Sequence, residues 1–219
     1  MQEPNLDLSK ANLGLPRANN LIPKNFDILP KHSEFAQKPK LLKQWPDADL
    51  WYKKDDKFDR PKSVVSLKIY TNDCHLGLKP EARVFANVWT QILSEHLREF
   101  NYMANCANLS FTVSPMFDNV DFQWAGFNDS MPKYIDESIA KLTAMKDADL
   151  EKTFDQVKEK LLVDFKNFYF EQSYQQAFAL FDNVMLNASV EQKLMRSILE
   201  GYSYEDFKEH HQRWLHSGR

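Results

Sequence analysis

The sequence predicts an α+β domain, an antiparallel-rich mixed sheet with helices packed on one face. Two observations lead there. Three short stretches alternate apolar and polar residues with a period of two, the mark of half-buried strands. Five or six longer stretches instead carry apolar residues at helical spacing, each behind a recognisable start signal. The order is strands, a long helix, a hairpin and then a run of helices, which fits a two-layer α+β arrangement better than a repeat or a barrel.

The elements follow in chain order. Residues 1–47 read as an extended Pro-rich arm or interdomain linker, because Pro4, Pro16, Pro23, Pro30, Pro39 and Pro46 each disfavour helix at themselves and at the residue before. The arm still carries Leu21-Ile22-Pro23 and Phe26-Asp27-Ile28-Leu29-Pro30, whose apolar side chains favour lying against other structure. Residues 48–219 form the domain proper. A short strand is expected at Leu50 to Lys53. The next strand runs from Ser63 to Tyr70, with Val65, Leu67 and Ile69 on one face and Ser66 and Lys68 on the other. Pro80 opens a long helix to about Ala104, and Phe85, Trp89, Ile92, His96, Phe100 and Met103 share its buried stripe. Two strands follow, one with Leu109, Phe111 and Val113 and one with Val120, Phe122 and Trp124. Pro115-Met116-Phe117-Asp118-Asn119 turns between them. Ser130 with Pro132 starts a helix to about Ala144. Asp149 caps the next, which buries Leu150, Phe154, Val157, Leu161, Phe165 and Phe168. Tyr174 to Leu186 is helical. Ser189 with Gln192 caps another helix that Gly201 ends, and Ser203 caps the last, to about Leu215.

Composition narrows the function. The chain has 219 residues, 43% hydrophobic and 27% charged, with a net charge of -3, so no basic field recommends nucleic acid as a partner. Gly is scarce at 5 and Phe plentiful at 16, which argues against disorder and Gly-rich cofactor loops. Two cysteines, Cys74 and Cys106, make no disulfide framework and fit a reducing, cytoplasmic compartment. Met1-Gln2-Glu3-Pro4-Asn5 has neither a basic nor an apolar signal region, and no apolar run is long enough to span a membrane. The sequons at Asn108, Asn128 and Asn187 are read as coincidental.

Several ordered motifs carry a resemblance. The run Leu50-Trp51-Tyr52-Lys53-Lys54-Asp55-Asp56-Lys57-Phe58-Asp59-Arg60-Pro61-Lys62 comes after Leu15-Pro16, Asn20-Leu21-Ile22-Pro23 and Phe26-Asp27-Ile28-Leu29. Glu99-Phe100-Asn101-Tyr102-Met103-Ala104 leads to Ala107-Asn108-Leu109-Ser110. Gly126-Phe127-Asn128-Asp129 and Phe165-Lys166-Asn167-Phe168 with Gln172-Ser173-Tyr174-Gln175-Gln176-Ala177 complete the series. Together they resemble the third, non-catalytic middle domain of the insulin-degrading enzyme family (insulysin, nardilysin and pitrilysin, the inverzincin zinc metallopeptidases).

The resemblance implies a catalytically inactive middle domain of an insulysin-like zinc metalloendopeptidase. In that family four similar domains form two halves around a peptide-enclosing chamber, and zinc sits in the first domain. The partners implied are the other domains of the same peptidase, or a larger assembly, with peptide substrate held by the parent protein. The alternative is a stand-alone pseudo-peptidase serving as a structural subunit, by analogy with related core subunits of a respiratory complex. The family's domain ends with a further strand and a Gly-Asn pair after a helix like the one around Trp214. Here the sequence stops at His216-Ser217-Gly218-Arg219, so the sheet is expected to lack its last strand.

Candidate chemistry is thin, and no catalytic, cofactor-binding or metal-ligating residue is assigned. The family's zinc motif, His-x-x-Glu-His, places two histidines one helical turn apart with a Glu as general base. The nearest echo is His96-Leu97-Arg98-Glu99-Phe100, with Phe100 where the second His belongs. An autonomous hydrolase built on His96 and Glu99 therefore fails on ligand count, and His96 reads as a partly buried helix residue. His210, His211 and His216 cluster near the end, but a spacing of five is awkward for one helical face, so they read as a surface group. Cys74-His75 lies in an expected loop without an orienting third group. Lys38, Lys40, Lys43, Lys53, Lys54, Lys57, Arg60 and Lys62 make a locally basic stretch. Asp47, Asp49, Asp55, Asp56 and Asp59 balance it as a solvated face.

Overall fold

A computed structural model of the chain describes residues 18–28, 38–55, 57–70, 79–116, 118–185 and 189–217. The fold is α+β. A hairpin of β1 (Lys40–Trp45) and β2 (Ala48–Tyr52) forms a separate two-stranded sheet. The hairpin straddles residue 47, where the sequence places the end of the arm. Lys40–Trp45 reads KLLKQW, without a period of two, so periodicity does not mark it as a strand.

The main sheet has three antiparallel strands, β3 (Lys62–Tyr70), β4 (Ser110–Pro115) and β5 (Asn119–Phe127), in the order β3-β5-β4. Its register sets Val65 and Phe111 opposite Trp124, and Leu67 and Val113 opposite Phe122. Val65, Leu67, Ile69, Phe111, Val113, Val120, Phe122 and Trp124 therefore share one face, as alternation predicts, while Val64, Tyr70 and Phe127 lie on the other. Helices cover that face unevenly. α1 (Pro80–His96) packs on β4 and α3 (Met131–Thr143) on β5. At the far edge Val65 and Leu67 remain exposed, although their neighbours Trp124 and Phe122 are buried.

The central helix, α1 (Pro80–His96), has Pro in its first turn and buries Val84, Phe85, Val88, Trp89, Ile92 and Leu93, among others. It packs against β4, α4 (Asp147–Asn167), α6 (Gln192–Gly201) and α7 (Tyr204–Ser217). The single helix expected to Ala104 is two. At Leu97 ψ opens to 1°, which ends α1, and α2 (Arg98–Cys106) begins at the next residue. The kink keeps its hydrogen bonds, from the Leu97 amide to the Leu93 carbonyl (3.1 Å) and from the Asn101 amide to the Leu97 carbonyl (2.7 Å). It sinks Leu97 completely into the interior. His96 turns out to be exposed, which corrects the partly buried expectation.

Of the later helices, two start where the sequence signals place them and three start one to three residues earlier or later. α3 (Met131–Thr143) follows Ser130 with Pro in its first turn, and buries Tyr134 and Ser138. At α4 the extended residue is Lys146, and Asp149 is the third helical residue. Its carboxylate accepts the Lys146 amide (3.2 Å). A 3-10 turn, Phe168–Phe170, leads to α5 (Ser173–Met185). Ser189 does not cap α6: its hydroxyl bonds to Asn183 and Glu191 stands at the start. Ser203 does cap α7, in a reciprocal pair with Asp206 (3.2 and 2.9 Å).

Candidate functional site

Several of the motif segments, those around residues 19–26, 61–62, 103–109 and 126–129, converge on one junction at the end of β5. α2 ends with the Asn105 carbonyl taking the Asn108 amide (3.0 Å) and the Ala104 carbonyl taking the Leu109 amide (3.0 Å). Asn108 adopts a left-handed φ of 56°, which Asn tolerates at a helix end. This closure brings the Asn108 carbonyl against Gly126. A Cβ there would lie 2.7 Å from that oxygen and 2.5 Å from Leu109 Cδ2, at a φ of 151° that side chains rarely adopt. Gly126 is thus required by both space and conformation.

The next three residues tie in two more segments. The Asn128 amide donates to the Pro61 carbonyl (3.0 Å), fixing the entry to β3. Asp129 accepts the amides of Lys24 (2.8 Å) and Asn25 (3.1 Å), so the arm is held by one carboxylate. Those two bonds hold the Asp129 carboxyl below the usual carboxylate range. Phe127 meets Phe26 edge-on at 5.2 Å and takes the Lys62 ammonium over its ring at 4.8 Å. Upstream, the Asn19 side chain donates to the Met103 carbonyl (2.7 Å), and Leu21 is 1% exposed inside the core. The run before β3 is itself a turn. Asp55 accepts the amides of Lys57 (2.9 Å) and Phe58 (3.3 Å), and Asp59 has a left-handed φ of 45°.

The comparisons with known proteins agree with this anatomy. The family model described as the middle or third domain of peptidase M16 matches residues 2–196. The chain belongs to that family of middle domains. It is 31% identical over 144 residues to insulin-degrading enzyme of Homo sapiens, covering 66% of this chain and 14% of that protein. It is 29% identical over 143 residues to "Insulin-degrading enzyme-like 1, peroxisomal" of Arabidopsis thaliana, covering 64% and 14%. The chain thus spans about a seventh of the length of these curated relatives. A crystal structure of pitrilysin shares the fold with a TM-score of 0.72 at 17% identity, over 89% of this chain and 20% of that one.

Within the middle domain, the residues with catalytic potential stand apart. His96 ends α1 and Glu99 lies in the first turn of α2, with the Leu97 kink between them. Phe100, in the second-His position of the zinc motif, packs on Tyr134 (5.6 Å) beneath the Lys141 ammonium (5.1 Å). Burial pushes the Tyr134 phenol up, and its hydroxyl donates to Asn101 (2.8 Å). His210 and His211 are half-buried, which corrects the surface reading. His210 stacks on Phe85 (5.5 Å). Its Nδ1 lies 2.9 Å from the Asp206 carbonyl, which only accepts, so Nδ1 carries the proton. The Tyr202 hydroxyl lies 3.0 Å from the same nitrogen. His211 stacks on Phe207 (6.0 Å), and burial pulls its pKa down. Cys74-His75 and the His216 side chain lie outside the described residues. No group of three His, Cys, Asp or Glu side chains that could hold a metal occurs among the described residues.

Sequence reasoning found the motif segments but not their meeting point. The available signal was Gly126, a glycine closing an alternating strand, which marks a bulge or a close backbone approach.

Proposed function

We propose that this chain is the catalytically inactive middle domain of an insulysin-like zinc metalloendopeptidase, forming part of the wall of its peptide-enclosing chamber. The observation that carries the proposal is the two-sidedness of the main sheet. One face is core. The other presents Ser66, Lys68, Thr112, Gln123 and Ser110 to solvent beside the exposed Val64 and Tyr70, with the Ser66 hydroxyl donating to Asp121 (2.5 Å). A sheet backed by helices and faced with small polar side chains makes a rigid, wettable wall. Its polar side chains offer a polypeptide hydrogen-bonding partners, and the exposed apolar ones, Val64 and Tyr70, are scattered singly among them.

The donor set of this chain does not fit the zinc of such enzymes. The His-x-x-Glu-His pattern is absent from the sequence, and Phe100 stands where its echo would need a histidine. Metal and general base therefore belong to another domain, and the contribution of these residues is to enclose and exclude. A reducing, cytoplasmic setting is part of the proposal, supported by the exposed free thiol of Cys106.

The test is the mass of the native polypeptide in its source, detected with an antibody to residues 50–62. The proposal expects a band several times heavier than 25.8 kDa, carrying His-x-x-Glu-His upstream in the same reading frame. A band at 25.8 kDa would replace the proposal with a stand-alone structural subunit.

A further inference from the structure

Helix α5 is inside out. None of its residues is buried. The side chains turned toward the protein are Gln176, Ala179 and Asn183, spaced as one helical stripe and mostly polar. Gln176 donates to the carbonyls of Tyr169 (3.1 Å) and Glu171 (2.9 Å), and Asn183 accepts from Ser189, so this stripe is occupied. The outward surface carries Phe178 (65% exposed), Phe181, Leu180, Val184 (83%) and Met185. A helix apolar on its outer faces belongs in an interior.

From this geometry we infer that the outward face of α5 is the surface on which a neighbouring domain of the same polypeptide docks. The inference rests on the proposed function, which sets this chain within a longer protein. Three observations choose the occupant. Asp182 is the sole charged residue in the sequence of α5, and charge-poor apolar surfaces mark permanent rather than transient contacts. The lack of Lys and Arg on the helix disfavours a lipid surface, which calls for basic side chains beside the apolar ones. The relatives have most of their length outside the matched region, since the match covers 14% of insulin-degrading enzyme. The five side chains and neighbouring Tyr174 offer about 700 Å², near the roughly 800 Å² that each partner contributes to a stable interface.

The experiment is Phe178→p-benzoylphenylalanine at the natural gene in its source, followed by irradiation and peptide mass spectrometry. The expected result is a polypeptide well above 25.8 kDa in which most adducts join Phe178 to a peptide of the same chain beyond these 219 residues. A heavy polypeptide whose adducts go to a second copy or to lipid, or which forms no adduct, overturns the docking surface and leaves the proposed function standing. A polypeptide of 25.8 kDa removes the proposed function and the docking surface with it.

Discussion

At the Gly126 junction the chain meets itself repeatedly. The end of α2, the entry to β3 and the arm all fasten to four consecutive residues of β5 and the turn after it. Along α5 no residue is buried, and its apolar side chains face solvent. Both regions hold family motif residues, and the contrast separates two uses of such residues. Those at the junction act within the domain. Those leading into α5 shape a surface that the domain does not use for itself.

Mutations sharpen this contrast, from the largest effect to the smallest. Gly126→Ala sets a methyl group against the Asn108 carbonyl at a strained φ. It is expected to cost about 3 kcal/mol. For a domain of this size that lowers the melting temperature by about 6–12 °C, readable by calorimetry. A variant melting with the parent chain would mean the junction is loose.

Leu21→Ala empties a core position that the arm fills. The expected loss is about 2 kcal/mol in urea unfolding. An unchanged midpoint would mean that the arm contributes nothing to the fold.

Acid offers a third probe. The Asp129 carboxyl titrates low because it accepts two arm amides. Its hold on the arm is therefore complete above the ordinary carboxylate range and is lost as pH falls through the lowered folded value. The Lys24 and Asn25 amide resonances should shift together with a midpoint below that of a free aspartate. A midpoint at the ordinary value would contradict the two hydrogen bonds.

Phe178→Ser with Phe181→Ser should be nearly silent in the isolated chain, within about 0.5 kcal/mol, because both rings are mostly exposed and Phe178 meets only Tyr174, one turn away on the same exposed helix. A clear loss of stability would show that α5 has a partner inside this domain after all.

Much of this fold is legible in the sequence. Alternation locates β3, β4 and β5 and gives the correct inward face, because a period of two admits two choices and the apolar residues pick one. The Leu97 kink is not legible. Leucine is a strong helix former, and the run around it contains no Gly or Pro, so tertiary packing alone sets the bend. The exposure of His96 follows from that bend and was hidden with it. Helical periodicity finds the stripes of α5 but not which stripe turns inward, since direction depends on what the helix is packed against. The half-buried settings of His210 and His211 depend likewise on Phe85 and Phe207, one of which is far away in the chain.

The claim beneath the whole reading is that these residues build a wall and hold no reaction centre. Metal content of the purified chain after exposure to zinc and dialysis tests it most directly. The account predicts no stoichiometric zinc. One tightly bound zinc per chain, with peptide cleavage that a chelator abolishes, would contradict it.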